Sequence, residues 1–288
     1  MKKKFSLALA AMMLAGVLTA CGGNGGGNAA TGSNPSSGGG AASSAASGSE
    51  TPTIDAIKAK GEIIMLTNAQ FPPFEYLGDD GSVQGVDPDI AQAVADKIGV
   101  ELKIVDMDFD GIIDALKAGK GDFAAAGMTI TEERLKEVDF SDEYVTSSQM
   151  VVVPAGSDLK ADDAALSGKN ITVQEGTTGD WYASGDTETT GSEIKDANVL
   201  KYKSAVEAGM MLAQGKADAM IVDQKPAEAI VAAQGGKLVL LPEKLTDEHY
   251  AFAIQKGQED LQAVINEVLK EYNGEKVDEL ITQHMGVE

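Results

Sequence analysis

The feature that most constrains the fold is an alternation of strand-like and helix-like stretches that begins near Thr53. "EIIMLTN" is typical of a buried strand, and "DPDIAQAVADKIG" predicts a helix with Asp87 at its N-cap, Pro88 at its first position and Gly99 at its end. The strand "ELKIVDMDF", the helix "DGIIDALKAG" and the strand "DFAAAGM" follow. This β-α-β-α-β order predicts an α/β fold, and the same pattern returns after residue 150.

Two stretches make this recurrence concrete, "DALKAGKGDFAAAG" from Asp114 and "MLAQGKADAMIVD" from Met211. Each combines a helix end, a Gly-Lys-x-Asp turn and an apolar strand. The first strand runs on to Thr129 and the second ends at Asp223, so both lead into polar residues. Two α/β lobes with polar groups beyond the carboxyl ends of their strands are expected to form a ligand crevice between them.

The first 50 residues have a different character. Three lysines and an apolar run up to Ala20 predict a signal peptide over residues 1–20. "LTAC" resembles the bacterial lipobox, which implies cleavage before Cys21 and lipidation of its thiol; the alternative is an incidental cysteine at an ordinary cleavage site. Residues 21–50 are rich in Gly, Ser, Ala and Asn and predict a flexible tether. We therefore expect a lipid-anchored mature protein without a transmembrane helix.

Charge and motifs exclude several functions. A net charge of −22 argues against nucleic acid as a partner, and a single cysteine rules out an intrachain disulfide. The sequence contains no phosphate-binding loop, dinucleotide fingerprint or nucleophile elbow. His249 and His284 lie far apart and near no cysteine, so we predict neither a metal site nor a cofactor.

The remaining polar residues suit a free α-amino acid, which needs a cationic fork for its carboxylate and an anion for its ammonium group. Arg134 is a candidate for the fork, although "TEERLKE" also fits an exposed helix in which Arg134 pairs with Glu133 or Glu137. Asp223 fits either a ligand group or a cap for the next helix. "EGTTGDWY" follows another predicted strand and offers backbone N–H groups to a carboxylate.

Six segments occur in the order found in a known family, and the run Thr-x-Thr-x-x-Arg followed by Asp-Phe-Ser-Asp-x-Tyr is the most specific of them. The chain resembles the bacterial extracellular solute-binding proteins of family 3, the amino-acid receptors of ABC importers. The resemblance covers about 51–288 and rests on "FPPFEY", "GVDPDI", "MDFDGIIDALKAGKGD", "AGMTITEERLKEVDFSDEY", "VQEGTTGD" and "QGKADAMIVD".

The resemblance implies an α/β, two-lobed periplasmic-binding-protein-like fold of type II, in which each lobe is a sheet flanked by helices. Lobe 1 would comprise residues 51–144 and 250–288, and lobe 2 residues 148–246. Two hinge strands would join the lobes, near residues 144–148 and 246–250. Ligand is expected to close the lobes by a hinge motion that shields the crevice from water.

The resemblance also implies the ligand-binding residues. The backbone of Thr129 and Thr177 would hold the carboxylate together with Arg134, while the Gly127 carbonyl and Asp223 would receive the ammonium group. The remaining members of the set are two aromatic walls and two residues at positions that contact the ligand side chain in relatives, namely Phe71, Phe109, Asn68 and Gln174.

Asn68 and Gln174 are neutral here, which argues for a polar, uncharged ligand such as glutamine because an uncompensated buried charge is costly. That inference requires Glu75 to stay outside the crevice, and the resemblance places it on the surface side.

The implied partners are a free amino acid, an ABC permease with its ATPase and the membrane, through the lipid on Cys21. We expect a monomer on the extracytoplasmic face of the cell membrane. The alternative is an enzyme, because cyclohexadienyl dehydratases use the same fold; that reaction needs a general acid in the crevice, and only His249, at the hinge, is a candidate histidine.

Overall fold

The computed structural model describes residues 52–286, so the predicted signal peptide, Cys21 and the whole of the predicted tether lie outside the described residues. In the described part, no helix is both long and apolar enough to cross a membrane. Its α-helices, numbered in chain order, are α1 (Pro52–Lys60), α2 (Val86–Ile98), α3 (Ile112–Lys117), α4 (Glu132–Glu137), α5 (Asp163–Leu166), α6 (Thr178–Ala183), α7 (Thr187–Thr190), α8 (Ala205–Ala213), α9 (Gln224–Ala233) and α10 (Glu259–Met285).

Two five-stranded sheets form the frame of this region. The strands are β1 (Glu62–Thr67), β2 (Gln70–Phe71), β3 (Glu75–Leu77), β4 (Val83–Gln84), β5 (Glu101–Asp106), β6 (Phe123–Ala124), β7 (Asp139–Phe140), β8 (Val145–Pro154), β9 (Asn170–Gln174), β10 (Asn198–Tyr202), β11 (Ala219–Asp223), β12 (Leu238–Tyr250) and β13 (Ala253–Ile254). The first large sheet has the strand order β5-β1-β6-β13-β7, and the second has the order β10-β9-β11-β8-β12. A small third sheet is the meander β2-β3-β4.

Both large sheets combine parallel and antiparallel pairs. In the first, β1 pairs in parallel with β5 and β6, whereas β13 is antiparallel to β6 and β7. In the second, β9 pairs in parallel with β10 and β11, and β8 runs antiparallel to β11 and β12. The parallel pairs are joined through helices, as the predicted α/β alternation requires. The fold class predicted from the sequence is confirmed, with sheets flanked by helices.

The chain passes from one sheet to the other along β8 and β12. These strands form an antiparallel ribbon in which Val145 pairs with Tyr250 and Gln149 with Thr246. We call the region built on the first sheet lobe 1, the region built on the second sheet lobe 2, and the paired residues 145–149 and 246–250 the crossing ribbon. The lobe boundaries expected from the sequence stay a prediction.

Apolar side chains fill the interior of both lobes. In lobe 1 the rings of Phe123 and Phe252 stack with their centroids 5.8 Å apart, and both are fully buried. The Phe74 ring meets Tyr250 edge-on at 5.1 Å, so the crossing ribbon is anchored in the core of lobe 1. Aromatic pairs of this geometry stabilise a core beyond the area they bury.

The N-cap predicted for α2 is wrong. Gly85 holds that position, and Asp87 makes no capping hydrogen bond. Gly85 has φ +136°, and a Cβ there would lie 2.1 Å from the Phe74 carbonyl oxygen, so only glycine fits. Asp87 is fully buried and its carboxylate accepts hydrogen bonds from the Gly127 N–H (2.9 Å) and the Tyr144 hydroxyl (2.5 Å) instead. The predicted end of α2 at Gly99 is confirmed, with φ +85°.

Candidate functional site

A cavity lies between the lobes, at the carboxyl ends of β1, β9 and β11. Its volume is about 10 Å³, close to the least that one water needs, so an amino acid would enter only if the lobes moved apart. The structure brings all nine residues predicted to bind ligand to this cavity; that they bind ligand stays a prediction. The lining residues are Asn68, Phe71, Glu75, Phe109, Ala126, Gly127, Thr129, Arg134, Gln174, Thr177, Thr178 and Asp223.

Arg134 is buried, with 4% of its surface exposed, so the alternative of an exposed, ion-paired arginine is wrong. Its backbone belongs to α4, whose N-terminus is fixed by the Thr131 side chain, which accepts from the Arg134 N–H. The guanidinium donates from Nη1 to the Thr129 carbonyl at 2.7 Å and from Nη2 to the Gly176 carbonyl of lobe 2 at 3.2 Å.

The surroundings of Arg134 keep it charged, and no described residue places a carboxylate within ion-pair distance of it. Burial lowers the pKa of Arg134 to about 10, and the nearby carboxylates of Glu248 and Asp223 counteract the fall. The rings of Phe109 and Trp181 lie 5.4 and 5.0 Å from the guanidinium carbon. A fixed cation with this little hydration is suited to an anionic group of a ligand.

Asp223 ends β11 and precedes α9, yet its side chain makes no capping hydrogen bond. The carboxylate instead accepts from the Tyr250 hydroxyl at 2.6 Å and from the Gln149 amide at 2.8 Å. Burial and the neighbouring Glu248 raise the pKa of Asp223 to about 7. Asp223 therefore occupies the N-cap position of α9 without capping the helix through its side chain, and its role as a ligand group stays a prediction.

Glu75 lies inside the cavity, so its predicted surface position is wrong. It begins β3, is fully buried, and neither of its carboxylate oxygens receives a hydrogen bond from a described residue. Burial and the adjacent carboxylate of Asp87 raise the pKa of Glu75 well above its usual value. A buried carboxyl without a donor partner is costly, so this group favours a bound cation or a proton.

The two neutral residues expected to contact a ligand side chain bind each other. The Gln174 amide donates to the Asn68 amide oxygen at 2.9 Å across the interface between the lobes, and Asn68 donates to the Met107 carbonyl at 2.8 Å. Much of their hydrogen-bonding capacity is therefore satisfied within the protein. Glu75 is the side chain in this cavity whose polar atoms most need a partner.

Gly127 brings the backbone of lobe 1 close to the cavity. It has φ +52°, and a Cβ at this position would lie 2.9 Å from the Phe71 ring. Glycine is therefore required both by its conformation and by the packing of an aromatic wall.

Two residues that the sequence did not single out, Glu248 and Gln149, complete the polar network around Asp223. Both are buried and both lie on the crossing ribbon. The one available signal was the position of Glu248 in the predicted hinge and of Gln149 directly after it. Neither histidine lines the cavity: exposed His249 lies 3.0 Å from Glu143, and His284 joins α10 to Asp89 and Tyr76.

A two-lobed α/β structure with oppositely charged groups in a cavity at the lobe interface is typical of proteins that bind a small solute between two lobes. The chain matches the bacterial extracellular solute-binding proteins, family 3, over residues 63–287. The chain belongs to this family, which confirms the resemblance inferred from the sequence.

Individual relatives of the chain are named as amino-acid-binding proteins. An L-arginine-binding protein of Pseudomonas aeruginosa is 35% identical over 205 residues, which cover 69% of this chain and 77% of the relative. A glutamine-binding protein of a Bacillus subtilis ABC transporter is 31% identical over 285 residues, or 97% of this chain and 96% of the relative. The solved structure of holo ArgBP from T. maritima superposes with a TM-score of 0.70 at 40% identity, covering 75% of this chain and 92% of that one.

Proposed function

We propose that this protein is a receptor for a free α-amino acid, which it holds between its lobes. The observation that carries the proposal is the presence of Arg134 and Asp223 in one buried cavity, neither of them ion-paired with another described residue. A zwitterion supplies both missing counter-ions, its carboxylate to Arg134 and its ammonium group to Asp223. The Gly127 carbonyl and the backbone of Thr129 and Thr177 would complete the contacts to these two groups.

We further propose that the preferred amino acid carries a cationic side chain of the guanidinium type. Glu75 supports this choice, because its carboxylate has no donor partner among the described residues and a guanidinium offers several N–H donors together with a positive charge. The Phe71 and Phe109 rings line the same cavity and suit the flat faces of such a group. The relatives named for arginine are consistent with this choice.

Glutamine, the ligand type expected from the neutral Asn68 and Gln174, remains the second candidate. A protonated Glu75 would donate to an amide oxygen, and the raised pKa of Glu75 favours the protonated form. The relative that matches almost the whole chain is named for glutamine.

Calorimetric titration with each of the twenty standard amino acids tests the proposal. Arginine is expected to bind most tightly and glutamine next, with acidic amino acids excluded by Glu75. Dissociation constants all weaker than about millimolar would reject an amino-acid receptor.

Arg134→Ala is expected to weaken binding of every amino acid at least about hundredfold, since it leaves the ligand carboxylate without its cation. Circular dichroism checks that the variant folds. Unchanged affinity in a folded variant would place the carboxylate site elsewhere.

Delivery to an ABC importer and attachment through a lipid on Cys21 belong to the same proposal, supported by the family and by the lipobox-like "LTAC". Mass spectrometry of the cell-extracted protein checks the lipid: Cys21→Ser should abolish both the added mass and membrane retention. Uptake of labelled arginine by cells lacking the protein should fall, and normal uptake would argue against delivery.

A further inference from the structure

Glu248 stands at the centre of the crossing ribbon, where β12 runs between the two sheets. It is buried, with 3% of its surface exposed. One carboxylate oxygen, Oε2, accepts from the Thr129 hydroxyl of lobe 1 at 2.7 Å and from the Thr178 hydroxyl of lobe 2 at 2.9 Å. The other, Oε1, accepts from the Thr246 hydroxyl of its own strand at 2.6 Å.

We infer that Glu248 is a positioning residue for ligand binding, which stabilises the closed arrangement by holding a hydroxyl of each lobe on one carboxylate oxygen. The inference builds on the proposed function, because closure is what would enclose the amino acid. It is carried by the contacts of Oε2, which exist together only while Thr129 of lobe 1 and Thr178 of lobe 2 both lie within hydrogen-bond distance of Glu248.

The negative charge of the Glu248 carboxylate strengthens its hydrogen bonds to Thr129 and Thr178. Hydrogen bonds to an ionised group contribute more than neutral ones, and the carboxylate is desolvated. The charged and titratable groups that face Glu248 are Arg134 from α4, Asp223 from the end of β11 and Tyr250 on its own strand. Separating the lobes would move one hydroxyl away and admit water in its place. The hydrogen bonds of Glu248 therefore differ between the closed and open states, as a bias on that equilibrium requires.

The same residue also affects the geometry of the carboxylate site. The Thr129 hydroxyl donates to Glu248, while the Thr129 carbonyl accepts from Nη1 of Arg134. Glu248 thus holds the residue that orients the guanidinium, and it does so without lining the cavity itself.

The test compares Glu248→Ala and Glu248→Gln with two matched controls. Thr246→Val removes the contact within the strand and leaves the contacts to both lobes, and Thr172→Val changes a buried threonine of lobe 2 that is bonded to the Ala219 carbonyl. Two quantities are measured: the affinity for arginine by calorimetry, and acrylamide quenching of Trp181. Trp181 is the single tryptophan of the chain and lies against Arg134 of the other lobe.

Glu248→Ala is expected to weaken arginine binding about tenfold or more and to increase quenching of Trp181, while the ranking of amino acids stays as in the wild type. Glu248→Gln should lose less, because its amide oxygen still accepts from both hydroxyls. Thr178→Val should lose affinity too, and combining it with Glu248→Ala should add little more. Both controls should stay within about twofold of the wild type.

The inference is overturned if folded Glu248→Ala matches Thr246→Val in both measurements. If Glu248→Ala does not fold, the test uses Glu248→Gln and Thr178→Val. Wild-type affinity and wild-type quenching in both variants overturn the inference, whereas weaker binding and increased quenching of Trp181 in both support it. A wild-type protein that binds no amino acid would reject the proposed function alone, since quenching of Trp181 in ligand-free variants still reads out the contact between the lobes.

Discussion

Two carboxyl groups face the same cavity from opposite lobes, and their surroundings differ. Asp223 of lobe 2 already holds two donors, the Tyr250 hydroxyl and the Gln149 amide. Glu75 of lobe 1 holds none among the described residues and adjoins a second carboxylate, Asp87. A carboxylate fixed by the protein suits the ammonium group that all amino acids share, whereas one without a partner suits the group in which amino acids differ.

Asp223→Asn tests whether Asp223 holds the ammonium group, and it should cause the largest loss of affinity. We expect affinity for all amino acids to fall by a similar factor of about a hundred, because each loses the same ion pair with its ammonium group. Calorimetry with arginine and with glutamine measures both factors. A loss confined to one of the two ligands would show that Asp223 contacts the ligand side chain instead.

Glu75→Gln should change selectivity more than overall affinity. We expect arginine to bind at least about tenfold more weakly, since the guanidinium loses its counter-ion, while glutamine keeps its affinity or gains. The ratio of the two dissociation constants is the measurement, and Asp223→Asn is its matched control. An unchanged ratio would mean that the ligand side chain does not reach Glu75.

The same variant should stabilise the ligand-free protein at alkaline pH. Because the folded-state pKa of Glu75 is raised, the protonated form stabilises the fold, and that contribution is lost as pH rises through the folded pKa. The amide introduced by Glu75→Gln stays neutral at every pH, so thermal unfolding of this variant should depend less on pH than that of the wild type. Equal slopes of melting temperature against pH would contradict the assignment.

A smaller effect is expected from pH alone. The pKa of Asp223 is raised to about 7, and an ammonium group favours the ionised form. Binding should therefore release a proton, and affinity should rise as pH increases through about 7. Calorimetry in two buffers of different ionisation enthalpy measures the released proton. Affinity that is constant or falls with pH would show that Asp223 is not the ammonium partner.

Short-range patterns in the sequence predicted part of the fold and part of the site. The alternation of strands and helices from β1 to β6 could be predicted from apolar strand-like stretches and from helices that end at glycine. These patterns are readable in the sequence because each depends on neighbouring residues within one element. Polar residues after strand ends, Thr129 and Asp223, indicated the crevice. The family motifs then named nine residues that the structure gathers around one cavity.

Tertiary contacts decided the rest. β3 has only three residues, too few for alternation to show that Glu75 faces inward. Asp87 looked like a helix cap because its partners, the Gly127 N–H and the Tyr144 hydroxyl, lie 40 and 57 residues away. Glu248 accepts from hydroxyls of residues 119 and 70 positions distant. The chain itself determined which elements form and where ligand chemistry is concentrated, but only packing determined which carboxyl groups lost their water, because desolvation depends on the whole fold.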